Sequence, residues 1–147
     1  MNLAGVQVNP VVLPLLLAQG WWVRRVTPRL PDAAGPIEGR LEGAAPEFNL
    51  IIIGESPVAG IGAPTHCQAI TGQTALAFHQ LSGQTVRWLA LGLSRATVQI
   101  ATQQLAPKLA DRQADVVILA FGVNDALKQH SVQQWTADLH RMISDTR

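Results

Sequence analysis

The chain has 147 residues, of which 48% are hydrophobic, and a formal net charge of +1. That length allows one domain at most, and so small a charge sets up no field that would draw nucleic acid or acidic lipid. Cys67 is the only cysteine, which excludes a disulfide framework and a cysteine-based metal cage.

Val11–Ala18 is an apolar run interrupted by Pro14. It falls well short of the ~20 residues that span a bilayer. No basic stretch precedes it and no clean small-residue cleavage site follows, so a secretory signal is not expected and a cytoplasmic location is the default. Apolar residues beside arginines, as in Leu15–Arg25, can lie at a membrane interface. The alternative is a short helix packed on the domain with Arg24 and Arg25 solvated. The polar face is poorly developed, so we expect packing and keep peripheral membrane contact as the second reading. Prolines and glycines from Pro28 to Pro46 then punctuate the chain, and Arg29–Glu47 reads as an irregular arm. We therefore divide the chain into residues 1–48, an apolar segment and arm, and residues 49–147, the domain proper.

From Asn49 onward strands and helices alternate. Leu50–Ile53 is a continuous β-branched apolar run, as expected for a strand covered on both faces. It stops at Gly54, and Ser56 follows in a Gly-rich turn. A helix is expected over Cys67–Leu81, with Ile70, Thr74, Ala77 and Leu81 on one face and Gly83 at its C-terminal cap. Thr85–Leu91 is the second strand. Thr97 caps a helix whose Val98, Ala101 and Leu105 share a face, and Pro107 ends or kinks it. Asp115–Phe121 is a third buried strand, closed by Gly122-Val123-Asn124-Asp125. Ser131 and Gln134 form a capping box for a last helix that buries Val132, Trp135, Leu139 and Met142 or Ile143. The four tryptophans read as core or packing residues, and Asp111 and Asp115 as solvated loop charges.

The β-α-β-α-β-α order implies an α/β fold with a parallel sheet between helical layers. Right-handed crossovers bring the turns at Ser56, Ser94–Thr97 and Asn124 to one sheet edge, the edge where open α/β sheets bind ligands. There Ser56 has two readings, a nucleophile or a helix cap. As a nucleophile it needs a base and donors aimed at the developing oxyanion. Its own backbone N–H, the Asn124 amide and a backbone N–H after the second strand could be those donors. Gly54, Gly60 and Gly62 fit neither common phosphate-loop pattern, so a nucleotide-binding domain ranks third.

Gly54-Glu55-Ser56, followed by Gly60, resembles the Gly-Asp-Ser block of the SGNH (GDSL-type) hydrolases. Gly122-Val123-Asn124-Asp125 resembles their Gly-x-Asn-Asp block. Leu93-Ser94-Arg95-Ala96-Thr97 sits where their second block, often Ser-Gly-x-Thr, would be. Pro28–Asp32 and Leu15–Arg25 are similar to the N-terminal extension of a bacterial subgroup. The resemblance implies a flavodoxin-like three-layer α/β/α sandwich of which only the first three strands are present, so that residues 49–147 form a partial hydrolase domain. It also implies metal-free and cofactor-free hydrolysis of small-molecule or lipid esters. Ser56 would be the nucleophile, Asn124 an oxyanion donor, the Arg95 backbone N–H a second donor, and Asp125 a loop brace.

Three departures from the family pattern stand out. Glu55 replaces aspartate. Arg95 replaces glycine, where a positive φ would be costly. No Asp-x-x-His occurs in the chain, although that motif carries the family's base. His66, near the Ser56 loop, and His130, near the Asn124 loop, are the histidines that could reach the cleft; His79 and His140 are expected at the surface. We expect a C-terminally truncated relative whose third strand is an exposed apolar edge, prone to self-association. The alternative to an active esterase is an inactive relative that only binds or associates.

Overall fold

The computed structural model describes Asn2–Leu3, Val6–Gln7 and residues 11–146. Residues 1, 4, 5 and 8–10 of the N-terminal apolar segment, and Arg147, lie outside the described residues. The chain forms two compact units, Met1–Leu30 and Pro31–Arg147.

In the first unit β1 (Asn2–Leu3) pairs antiparallel with β2 (Val6–Gln7), and α1 runs over Leu13–Val26. Pro14 lies in the opening turn, where its missing N–H costs nothing, and Arg24 and Arg25 lie in the last turn, where cations suit the helix dipole. The Arg25 guanidinium sits 5.5 Å from the Trp21 ring centroid, within cation–π range. α1 buries none of its residues. Trp21 and Trp22, expected as packing residues, are 62% and 60% exposed. No helix among the described residues is long and apolar enough to cross a membrane.

In the second unit the elements are β3 (Glu38–Leu41), β4 (Ala44–Gly54), α2 (Ile70–Ser82), β5 (Gln84–Gly92), α3 (Val98–Leu105), a 3-10 turn (Ala106–Leu109), β6 (Val116–Ala120), α4 (Val123–Leu127) and α5 (Val132–Asp145). The sheet order is β3-β5-β4-β6. β4 runs parallel to both β5 and β6. One face carries Ile51, Ile53, Leu89 and Leu91 under α3 and α5, with Met142 buried among them. The other carries Leu50, Ile52, Val86, Trp88 and Ala90 under Ala75 and Phe78 of α2. This is the expected three-layer α/β/α arrangement around a three-stranded parallel core.

Several local expectations are corrected. The arm is not irregular throughout: Glu38–Leu41 adds a fourth, antiparallel strand, with Glu38 opposite Leu89 and Leu41 opposite Val86. β4 begins at Ala44, before the hydrophobic run, because its polar start pairs with β5 as well. Asp115 is more than a solvated charge, since its carboxylate accepts the Asn49 N–H at 2.7 Å. β6 is not a buried run: Val116, Val117 and Ile118 are each about 40% exposed, because the strand ends the sheet.

The face of α2 also differs. Thr71, Gly72 and Ala75 are buried, whereas Leu81 is 90% exposed. Small residues let α2 approach closely, and Phe78 stacks on Phe48 with ring centroids 4.1 Å apart. Gly83 takes the left-handed cap at φ 70° as expected. On α5, Val132 is exposed while Met142 is fully buried, so the inward stripe begins one turn later. The Thr97 and Ser131 caps form as expected, accepting from the Ile100 and Gln134 N–H groups.

Close approach at the sheet edge depends on Gly92, where a Cβ would lie 2.0 Å from the Ala59 backbone nitrogen. The Gly92→Ala chain is therefore expected to melt roughly 5–10 °C lower, as overpacking against backbone costs about 1–3 kcal/mol. Calorimetry checks this, and an unchanged melting temperature would show that the turn after β4 does not rest on β5.

Candidate active site

The parallel register aligns the C-terminal ends of the three central strands, with Gly54 opposite both Gly92 and Ala120. Each strand therefore releases its loop at the same level. The loop after β4 curls at once. The Glu55 carbonyl accepts from the Val58 and Ala59 N–H groups, both at 3.0 Å, and the Ser56 carbonyl accepts from the Ile61 N–H at 3.1 Å. Ser56 is half-buried on this turn. Its hydroxyl and its backbone N–H have no hydrogen-bond partner among the described residues. Ser56 caps no helix: Ala69 occupies the position before α2.

Glu55, only 4% exposed, turns the other way. Its carboxylate accepts from the Gly122 N–H at 2.6 Å, the Asn124 N–H at 3.2 Å and the Asn124 side-chain amide at 2.6 Å. The first two are end groups of α4, which Gly122 precedes without a side-chain cap of its own. Glu55 thus caps α4 from another loop, placing a carboxylate where unpaired helical N–H groups favour one. The Asn124 Nδ2 also donates to the Ala96 carbonyl at 3.1 Å. A primary amide has two hydrogens to give, and both are used inside the protein.

Asp125 repeats the device. It is 2% exposed, and its carboxylate accepts from the Val98 N–H at the start of α3 (3.2 Å) and contacts His130 Nδ1 (3.0 Å). This is the loop brace expected of it, with a named load.

The loop after β5 is tied back through the Leu93 N–H to the Gly54 carbonyl, and the Ala96 N–H to the Leu93 carbonyl. Between them Arg95 adopts φ +66°, the conformation that the glycine-to-arginine departure makes costly. The left-handed region costs a non-glycine residue about 1–2 kcal/mol. Its side chain is exposed, and its backbone N–H, like that of Ser56, has no acceptor among the described residues.

The arm, expected only as an irregular lead-in, bonds to the site loops. Asp32 accepts from the Ser94 hydroxyl at 2.7 Å, and the Ala33 and Gly62 N–H groups bond to the Ala59 and Pro31 carbonyls. Residues 31–34 therefore wall the site. The proline and glycine spacing that marked the arm as non-helical carried no sign of those bonds.

The histidines divide. His66 is 6% exposed, with an Nδ1 lacking a partner among the described residues. His130 is held by Asp125. His79, expected at the surface, is half-buried with Nδ1 2.7 Å from the Gln84 carbonyl oxygen. His140 is exposed as expected. Among the described residues no group of three histidine, cysteine or carboxylate side chains could hold a metal ion. A cavity of about 730 Å³ opens along the N-terminal halves of β4 and β5. Glu47 bridges Arg40 and Arg87 there, and Arg112 meets Glu38. Its lining includes no serine, cysteine or histidine. It lies away from the C-terminal strand ends that release the Ser56, Arg95 and Asn124 loops.

Residues 52–147 match the GDSL-like Lipase/Acylhydrolase family. No curated protein matches the chain in sequence. Among solved structures, it is similar to AlinE4, an SGNH-hydrolase family esterase, with a TM-score of 0.62 at 18% identity over 69% of this chain and 54% of that one. It is similar to TesA, at 0.58 and 21% over 67% and 54%. It is also similar to the psychrotrophic esterase EstA from Pseudoalteromonas sp., at 0.56 and 16% over 67% and 52%. The chain thus spans about half the length of these structures, and at such identities they establish its fold. With the family match covering most of the second unit, the chain belongs to the GDSL-like lipase/acylhydrolase family.

Proposed function

We propose that the chain is a serine hydrolase of carboxylic esters, working through an acyl-enzyme on Ser56. The observation that supports this most is the Ser56 hydroxyl at the C-terminal sheet edge, which, like the backbone N–H groups of Ser56 and Arg95, has no hydrogen-bond partner among the described residues. Such donors cost no reorganisation when charge develops.

In this reading the Ser56 Oγ attacks the ester carbonyl carbon and passes its proton to solvent water. The carbonyl oxygen becomes an oxyanion that accepts from the Ser56 and Arg95 N–H groups, with the Asn124 amide as a further donor once it turns from its internal partners. Collapse of the tetrahedral intermediate breaks the bond to the ester oxygen, which leaves as the alcohol with a proton taken from solvent, and an acyl-serine remains. Water then attacks the acyl carbon, and the acid departs as Ser56 recovers its proton. The 147 residues contain no Asp-x-x-His, so the serine has no family-type base here. Oxyanion donors and binding alone can retain roughly 10³–10⁴-fold over the uncatalysed reaction when a triad is incomplete. Slow turnover is the expectation. The substrate class is a small-molecule or lipid ester. α1 exposes Leu15, Leu17, Trp21 and Trp22 beside Arg24 and Arg25, which supports peripheral contact with a lipid surface.

A second reading is supported by β6. It pairs with β4 on one side, ends the sheet and exposes Val116, Val117 and Ile118. An exposed apolar edge of this kind can pair with another strand. On this reading the chain associates with itself through β6, whether or not it turns over esters.

Two measurements follow. Hydrolysis of p-nitrophenyl acetate by the purified chain is expected to exceed buffer, and Ser56→Ala to return it to the buffer rate; equal rates for both chains would remove Ser56 from the chemistry. In sedimentation velocity the unsubstituted chain is expected to self-associate and Ile118→Lys to sediment as a monomer. A monomeric unsubstituted chain would contradict the edge assignment.

A further inference from the structure

We propose that Glu55 is a positioning residue that holds the Asn124 side-chain amide out of the oxyanion site. The inference rests on the hydrolase reading above and deepens it.

Both Asn124 Nδ2 hydrogens are committed, one to Glu55 Oε2 at 2.6 Å and one to the Ala96 carbonyl at 3.1 Å. The Glu55 contact is the stronger, because a charged acceptor shortens and strengthens a hydrogen bond. Burial leaves almost no water to compete for Glu55, which is 4% exposed. Its other bonds, to the Gly122 and Asn124 N–H groups, fix the carboxylate against α4. The amide is therefore caught between a fixed anion and a fixed carbonyl. While both bonds stand, neither hydrogen is free to meet an oxyanion, and the donors without an acceptor among the described residues are the Ser56 and Arg95 N–H groups.

Side-chain length is the variable that matters. One methylene fewer draws the carboxylate back by about 1.5 Å, the length of a carbon–carbon bond. That stretches the 2.6 Å contact beyond hydrogen-bond range and lets Asn124 turn toward the cleft. Loss of one oxyanion donor costs about 10²–10³ in rate in a well-studied serine hydrolase, so recovery of one is large enough to measure.

The test compares p-nitrophenyl acetate turnover by the unsubstituted chain, Glu55→Asp, Asn124→Ala and the double variant. Glu55→Asp is expected to raise the rate about tenfold or more, and Glu55→Asp in the Asn124→Ala background to give no gain. A merely structural effect of Glu55→Asp would be the same in both backgrounds. Equal gains, or none in either, would overturn the proposal.

Solvent exchange of the Asn124 side-chain amide, read by ¹⁵N NMR, gives a second readout independent of turnover. We expect slow exchange in the unsubstituted chain and exchange at least tenfold faster in Glu55→Asp. Fast exchange in the unsubstituted chain would overturn the proposal even if Glu55→Asp failed to fold. Ser56→Ala, assayed alongside, reports on the hydrolase reading alone. Turnover that survives it retires that reading and leaves amide exchange to decide the role of Glu55.

Discussion

Two buried carboxylates hold the site together, each reaching from its own loop to the start of a helix in another. Glu55, after β4, caps α4. Asp125, within α4, caps α3. The loops of all three central strands are joined in this chain of bonds. A carboxylate removed from water is costly unless hydrogen bonds replace its hydration. Here backbone N–H groups at helix starts do so, and they would otherwise be left unpaired. Each group solves the other's problem, and the result is a rigid floor. Losing either carboxylate would strand buried N–H donors at about 1–3 kcal/mol apiece.

That floor decides what stays free. The inner donors of the three loops are used in joining them. The outer ones, the N–H groups of Ser56 and Arg95 and the Ser56 hydroxyl, are left without a hydrogen-bond partner among the described residues. The left-handed turn at Arg95 is a strained feature kept at the same place. Local strain of this kind persists where the surroundings over-determine it, and the bonds from Leu93 to Gly54 and from Asn124 to Ala96 bracket Arg95 on both sides. Glu55 fits the same logic with a consequence for chemistry. The residue that stabilises the floor also ties down Asn124, the remaining candidate donor.

The placement of Ser56, Arg95 and Asn124 on one sheet edge was legible from sequence. Continuous β-branched runs between turn signals fix strands, and the handedness of crossovers fixes which ends meet. Thr97 and Ser131 were legible as caps because their spacing to the next N–H is local. What failed was non-local. The buried side of α2 was misread because Thr71, Gly72 and Ala75 pack by being small, which periodicity of large apolar residues cannot register. β3 was missed because only pairing with β5 makes Glu38–Leu41 a strand. The direction of the Glu55 side chain was invisible for the same reason. Its partners Gly122 and Asn124 are 67 and 69 residues away, and no local pattern announces a contact at that range.

The most direct measurement is backbone amide hydrogen exchange across the three loops at single-residue resolution. We expect slow exchange at Gly122, Asn124 and Val98, whose N–H groups the two carboxylates accept, and fast exchange at Ser56 and Arg95. Fast exchange at Gly122, Asn124 and Val98 would contradict this, because the loops would then not be joined by Glu55 and Asp125.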